Sequence, residues 1–281
     1  MEIMGTAVWL LLLVLVAGAV AQLIDGAVGM GFGALSATIM VASGVEPAVA
    51  VGTVTLAKVG AGLVSGLSHW GFGNVRWKWV VPLAASGIVG GIIGALLLTQ
   101  LPAQAIKVWV PVLLLLMGFL ILYRFWRTRA PVIEGGSQEL SGVAPRDLLD
   151  GVRGAYRKLP VRVRMSGLGT LAGGLNGLSG AYGPLATPAI MLAEGGHPRY
   201  AIGTVNMAEF FVSAVVSATI VIQLGGSSFE WEFPGALMIG SILTALPAAY
   251  IARRLPRQHL GVLVGVALVA INTWALFKAF L

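Results

Sequence analysis

Two ionisable side chains stand where hydrocarbon would make them costly. Lys58 lies near the middle of the apolar stretch 48–69, and Glu209 near the middle of 200–223. A charge at the centre of a bilayer costs on the order of 3 kcal/mol or more, so each needs a partner or a task. A lysine at that depth attracts an anion. A carboxylate there pairs with the lysine or carries a proton. A Lys–Glu bridge that merely fastens the chain together is the other reading, and such bridges are weak contributors to stability. The two residues are 151 positions apart, a spacing that recurs below.

Glycine-rich runs form the second group. One is Asp25-Gly26-Ala27-Val28-Gly29-Met30-Gly31-Phe32-Gly33, and the other is Asn176-Gly177-Leu178-Ser179-Gly180-Ala181-Tyr182-Gly183-Pro184. Glycine and proline at this density predict that a helix unwinds and frees backbone amides at membrane depth. That is tolerated only where protein or a water-filled cavity lines the backbone. Amides at a half-helix N-terminus suit an anion, which makes Gly29, Gly31 and Gly180 candidates, with Asn176 and Ser179 as side-chain donors. Close packing through small residues is the alternative. For Gly87-x-x-x-Gly91 and Gly261-x-x-x-Gly265 packing is the preferred reading.

Hydroxyls and amides accompany these runs. Thr53 and Thr204 are 151 apart, as are Thr55 and Asn206. The latter two precede Lys58 and Glu209 by three residues, which puts them on the same helix face as the charge. Thr and Ser in membrane helices also bond their own preceding carbonyls. Asp25 faces a cavity or caps the helix that follows it.

No Walker A, His-Glu-x-x-His or Gly-x-Ser-x-Gly motif is present, and there is no cysteine. His69, His197 and His259 sit at segment ends with no second ligand nearby in sequence, and read as interfacial or loop histidines. No enzyme, cofactor or metal is expected. Clustered soft ligands are absent as well, which argues against soft-metal transport.

The elements that must hold these residues follow from composition. Of 281 residues, 57% are hydrophobic and 10% charged, against about 25% charged in a soluble domain. Mean hydropathy is +0.90. A soluble enzyme, a disordered chain and a coiled coil are excluded, and a polytopic helical membrane protein remains. Segments 48–69, 79–99, 105–123, 200–223, 234–252 and 259–280 each fit one crossing. Regions 6–42 and 165–193 are too long for one and read as hairpins of two helical pieces, the second, of 29 residues, being short enough for a re-entrant hairpin in place of two full crossings. The first stretch has Glu2 and no basic flank, so it reads as a membrane helix rather than a signal peptide.

Nine of the 18 Lys and Arg fall within 124–164, with Arg76, Lys78, Arg253, Arg254 and Arg257 in two further loops. The positive-inside rule puts these loops in the cytoplasm. Glu46, Glu230 and Glu232 are then outside, each hairpin enters and leaves on one side, and both termini lie outside. The net charge of +7 follows from this distribution and calls for no nucleic acid.

Sliding the chain on itself by 151 residues matches 25–57 to 176–208 with 12 of 33 positions identical. Leu101-Pro102-x-Gln104 matches Leu255-Pro256-x-Gln258 after three extra residues. Each half reads as a hairpin plus three crossings, and an odd number of net crossings inverts the second half. The expected fold is all-α and integral to the membrane: a first inverted repeat over 1–124, a basic cytoplasmic linker over 125–163 and a second repeat over 164–281. Inverted repeats with broken helices mark secondary transporters.

The glycine-rich runs followed by Ala50-Val51-Gly52-Thr53 and Ala201-Ile202-Gly203-Thr204, with the turn Ser68-His69-Trp70-Gly71-Phe72-Gly73-Asn74-Val75, resemble the TauE/SafE sulfite exporter family, also called the 4-toluene sulfonate uptake permease family. The resemblance covers roughly 7–123 and 165–280. Tyr182 and Pro184 depart from Gly31 and Gly33 of the first half. The resemblance implies a multi-pass inner-membrane carrier of sulfite, thiosulfate, sulfonates or sulfoacetate. Lys58 belongs to no motif carried over from the family. An anion channel, a carrier of another small solute and a membrane scaffold stay open as alternatives. The expected partners are a small anionic solute and the lipid bilayer, and a homo-oligomer stays open.

Overall fold

Apolar stretches of this length satisfy their backbone groups in lipid only as helices or closed barrels. Among the described residues the chain is helical, without strands. The structure is a computed structural model that describes residues 2–127, 159–194, 198–251 and 257–279. Most of the linker, with His197, Arg253, Arg254 and the Leu255-Pro256 pair, lies outside the described residues.

The first half contains α1 (Glu2–Val28), α2 (Phe32–Ala42), α3 (Pro47–Gly71), α4 (Trp77–Gln100) and α5 (Ala103–Arg127). The second contains α6 (Val161–Ser179), α7 (Gly183–Glu194), α8 (Pro198–Leu224), α9 (Glu232–Ile251) and α10 (Arg257–Ala279). Six helices among the described residues are long and apolar enough to cross a membrane: those of α1, α3, α4, α5, α8 and α10. The short pieces α2 and α7, of 11 and 12 residues, reach about 17 Å at 1.5 Å per residue, half the hydrocarbon thickness.

Helix limits follow local chemistry. Pro47 and Pro198 open α3 and α8, where a missing N–H leaves no bond unmade. Gly29 and Gly180 each have φ of 73°, a left-handed backbone that glycine adopts without penalty, and each lies just past the end of a long helix. The breaks are shorter than the glycine runs suggest. Gly26 and Gly177 remain helical and pack: a Cβ on Gly26 would come 2.6 Å from that of Ala248, and one on Gly177 would meet Ala95 N at 2.6 Å. Pro184, the departure from Gly33, occupies the first turn of α7, a position that tolerates proline.

Packing runs across the halves. The long helix α1 packs on α9, and α6 packs on α4; α3 packs on α8, and α5 on α10. Helices α1, α3 and α9 form one group, and α4, α6 and α8 another, joined where α3 meets α8. Between α4 and α6 the backbones touch through glycine. A Cβ on Gly90 would overlap the Thr170 carbonyl, and one on Gly173 the Gly87 carbonyl. The packing expected for Gly87 and Gly91 is found as well, with α8 as the partner: a Cβ there would meet Val212 and Val216.

Charge separates along the bundle. Arg76 and Lys78 follow α3 at one end, where Arg76 lies 4.4 Å from the Tyr200 ring of α8. Glu46 precedes α3 at the other end, and Glu230 and Glu232 follow α8 there. Large apolar side chains such as Leu13, Val16, Ile93, Leu243 and Leu263 are exposed, as a lipid-bathed surface requires.

Candidate functional site

The site lies where α3 crosses α8. These helices run antiparallel: a Cβ on Gly52 would meet Ile220, one on Gly62 would meet Phe210, and one on Gly66 would meet Met207. Lys58 Nζ donates to Glu209 Oε1 in a buried ion pair. Lys58 is 5% and Glu209 6% exposed, so each charge is shielded from solvent and held by the other. The residues 151 apart in sequence are therefore bonded in space.

The two backbone breaks meet beside this pair. A Cβ on Gly33 would overlap the Gly180 carbonyl and stand 2.8 Å from Lys58 Nζ, and one on Gly183 would stand 2.8 Å from the Gly29 carbonyl. Thr187 Oγ1 donates to that Gly29 carbonyl at 2.6 Å. Only glycine lets the two interruptions approach so closely.

Amides at the start of α2 already hold an anionic partner. Asp25 Oδ1 accepts from Gly31 N at 2.7 Å and Phe32 N at 3.1 Å. Asp25, read from sequence as facing a cavity or capping, caps α2 and also lines the cavity. Its charge suits the positive end of the helix dipole. The second half differs: Asn176 replaces Asp25 at the matching position, and its Nδ2 donates to Ser213 Oγ at 3.3 Å. Asn176 Oδ1 is buried without a partner.

A small cavity joins these groups. It is lined by Gln22, Asp25, Phe32, Lys58, Ser65, Asn206 and Glu209, among others, and encloses about 10 Å³, room for roughly one water. Asn206 Nδ2 donates to Ser65 Oγ at 3.1 Å within it. With both carboxylates ionised, two negative groups face one ammonium, so the cavity carries an excess of one negative charge.

The other sequence candidates are distributed around it. Ser179 Oγ donates to its own helix at Leu175 O, and Thr55 Oγ1 to Val51 O. Thr204 Oγ1 accepts from Arg76 N at 3.1 Å, toward the basic end. Thr53 lines a second, mostly apolar cavity of about 290 Å³ with Leu10, Ser36, Met40 and Phe233. Lys58, Glu209 and Asn206 come together; Thr53 and Thr204 lie toward opposite ends of α3 and α8.

His69 sits at the segment end expected of it, in the last turn of α3, but it is enclosed there. It is 6% exposed, with Nε2 buried and unpartnered. The turn after α3 folds back over it: Asn74 N donates to His69 O, and Asn74 Nδ2 lies 3.5 Å from His69 Nδ1. Asn74 is in turn pressed against Gly203 of α8. The sequence signal was its spacing from Lys58, eleven residues or three helical turns. His259 is exposed, as expected.

Comparison with known proteins agrees with this architecture. The family described as "Sulfite exporter TauE/SafE" matches residues 14–274. The "Probable membrane transporter protein YtnM" of Bacillus subtilis (strain 168) is 33% identical over 264 residues, which cover 94% of this chain and 82% of that protein. No solved structure matches. The match across nearly the whole helical bundle places this chain in the TauE/SafE sulfite exporter family, as a multi-pass membrane transporter and not an enzyme.

Proposed function

We propose that this protein carries small sulfur-containing anions, of the sulfite, thiosulfate, sulfonate or sulfoacetate class, by gradient-coupled alternating access. The observation that carries the reading is the buried Lys58–Glu209 pair beside two glycine breaks, in a chain of this family. The anion binds at the midplane between the repeats. Lys58 supplies positive charge, and Asn206, with Asn176 and Ser179 as the cavity widens, supplies hydrogen bonds; Thr53 and Thr204, toward opposite ends of α3 and α8, meet the solute on its way in and out. The amides of Gly29, Gly31 and Gly180, held here by Asp25 O, Asp25 Oδ1 and Asn176 O, join the cradle only when the breaks rearrange.

The cavity's charge supports coupling to a proton. An anion entering beside Asp25 and Glu209 meets net negative charge, and protonation of Glu209 removes the repulsion while freeing Lys58. With room for only one water, the conformation described is a closed one. Opening follows when the groups on either side of the α3–α8 crossing part. The halves act as inverted repeats; support comes from helix starts that recur 151 residues apart, such as Pro47 with Pro198, and from the antiparallel course of α3 and α8. The basic end faces the cytoplasm of a bacterial or archaeal inner membrane, with the 125–163 linker there and both termini outside.

Flux of labelled sulfite, thiosulfate and a short sulfonate into proteoliposomes, with and without a pH gradient, tests the function. Saturable uptake steepened by the gradient is expected, lowered at least about tenfold in Lys58→Ala. Undiminished flux in that variant removes Lys58 from the site, and an ohmic current in place of saturable uptake makes the protein a channel. Orientation is checked separately with Gln138→Cys in whole cells. The cysteine is expected to resist impermeant maleimide until the membrane is opened; labelling in intact cells reverses the topology.

A further inference from the structure

His69 has no place in the anion site, yet it is buried with an open ring nitrogen. Lys58, Ser65 and His69 lie on one face of α3, since spacings of seven and four residues return to the same side of a helix. The eleven residues from Lys58 to His69 cover about 16 Å along the axis. Between them stand the Ser65 hydroxyl, the Asn206 amide and the water-sized cavity. Asp25 lines the same cavity as Ser65, Asn206 and Glu209, so the carboxylates share one space with that hydroxyl.

The opposite direction from the pair is different. On α8, Ser213 is engaged by Asn176, and Ser217 bonds its own helix at Ala214 O. Beyond them the position matching His69 is Ile220, packed with Phe229 around Gly52. A polar route leaves the ion pair toward the Arg76 end and stops against apolar side chains toward the other.

We infer that His69 is the proton-relay residue that connects the Asp25–Glu209 carboxylates to the side of the membrane bearing Arg76. When the Asn74 turn lifts and admits water from that face, His69 Nε2 takes a proton. It passes through a water held by Ser65 to a carboxylate oxygen of Asp25 or Glu209, and the imidazole returns to its neutral form. The titratable and charged groups along the route are Asp25 of α1, Lys58 and His69 of α3, and Glu209 of α8. Tyr182, in the second break, is fully buried, and Arg76 is turned away over Trp79 and Tyr200. The inference deepens the proton coupling proposed above and rests on that reading for its use in transport, but its test needs no solute.

The experiment is infrared difference spectroscopy of the full-length protein in lipid, after a pH drop on the Arg76 face. Asp25→Asn and Glu209→Gln assign the protonated carboxyl band. In His69→Ala the band is expected to appear at least about tenfold more slowly, with its final amplitude kept, and added imidazole restores the rate. His69→Gln, which fills the space without relaying a proton, is expected to be slow as well and supplies a second folded variant. The inference is overturned if wild type shows no carboxyl band, if both variants keep the wild-type rate, or if imidazole leaves the slow rate unchanged. Sulfite flux measured alongside separates the two readings: a protein that relays protons but moves no sulfur anion keeps the relay and loses the proposed substrate.

Discussion

Lys58→Met is expected to lower stability by about 3–5 kcal/mol, because it leaves Glu209 buried without its counter-charge. The ammonium and carboxylate are shielded from water in the native bundle, so neither can recover hydration when the other is removed. Lys58→Met combined with Glu209→Gln is expected to regain most of the loss, since a neutral amide demands far less compensation than a carboxylate. Thermal unfolding of the four proteins in one detergent measures the cycle. A double variant as unstable as the sum of the single ones would show that the two side chains contribute independently. The same double variant is expected to remain inactive in flux, which separates the pair's structural contribution from its role in transport.

Gly90→Val is expected to be among the most disruptive changes outside the ion pair. A Cβ at Gly90 would overlap the Thr170 carbonyl and lie 3.0 Å from Gly174 N. These are backbone atoms and cannot swing aside, so α4 and α6 must separate. Overpacking in a core typically costs about 1–3 kcal/mol, and a branched side chain against backbone belongs at or above the upper end. Gly167→Ala is the control on α6 itself: nothing lies within 4 Å of its Cβ position. There the change is expected to be neutral or to stabilise by about 0.5–1 kcal/mol, through the helix preference of alanine. Equal effects of the two substitutions would refute a contact role for the α4–α6 glycines.

How much of this could be read from residues alone varied with the range of the physics involved. Local hydropathy, with segments opening at 48 and 200, came within two residues of the helix starts at Pro47 and Pro198, where proline suits a first turn. Depth and spacing singled out Lys58 and Glu209. The extent of the breaks was less legible: glycine at 26 or 177 looks the same whether it unwinds a helix or admits a neighbour, and only Ala248 and Ala95 reveal that it does the second. The segment-end position of His69 was legible but its burial was not, since that depends on where the Asn74 turn comes to rest against Gly203. Thr55 and Ser179 were ambiguous because a hydroxyl in a helix can bond its own backbone, and both do. Nothing periodic in either half announced that α1 would pack on α9 or α6 on α4.

That exchange has a consequence for biogenesis. Helix α1 leaves the ribosome about two hundred residues before α9, whose surface around Leu237 and Gly240 it packs against. Over that interval its small-residue face has only lipid or another nascent segment for company. The bundle therefore cannot mature one half at a time; helices inserted far apart in time close on each other, and a truncated product carrying the first half alone would expose an unfilled seam to the cell's quality-control proteases.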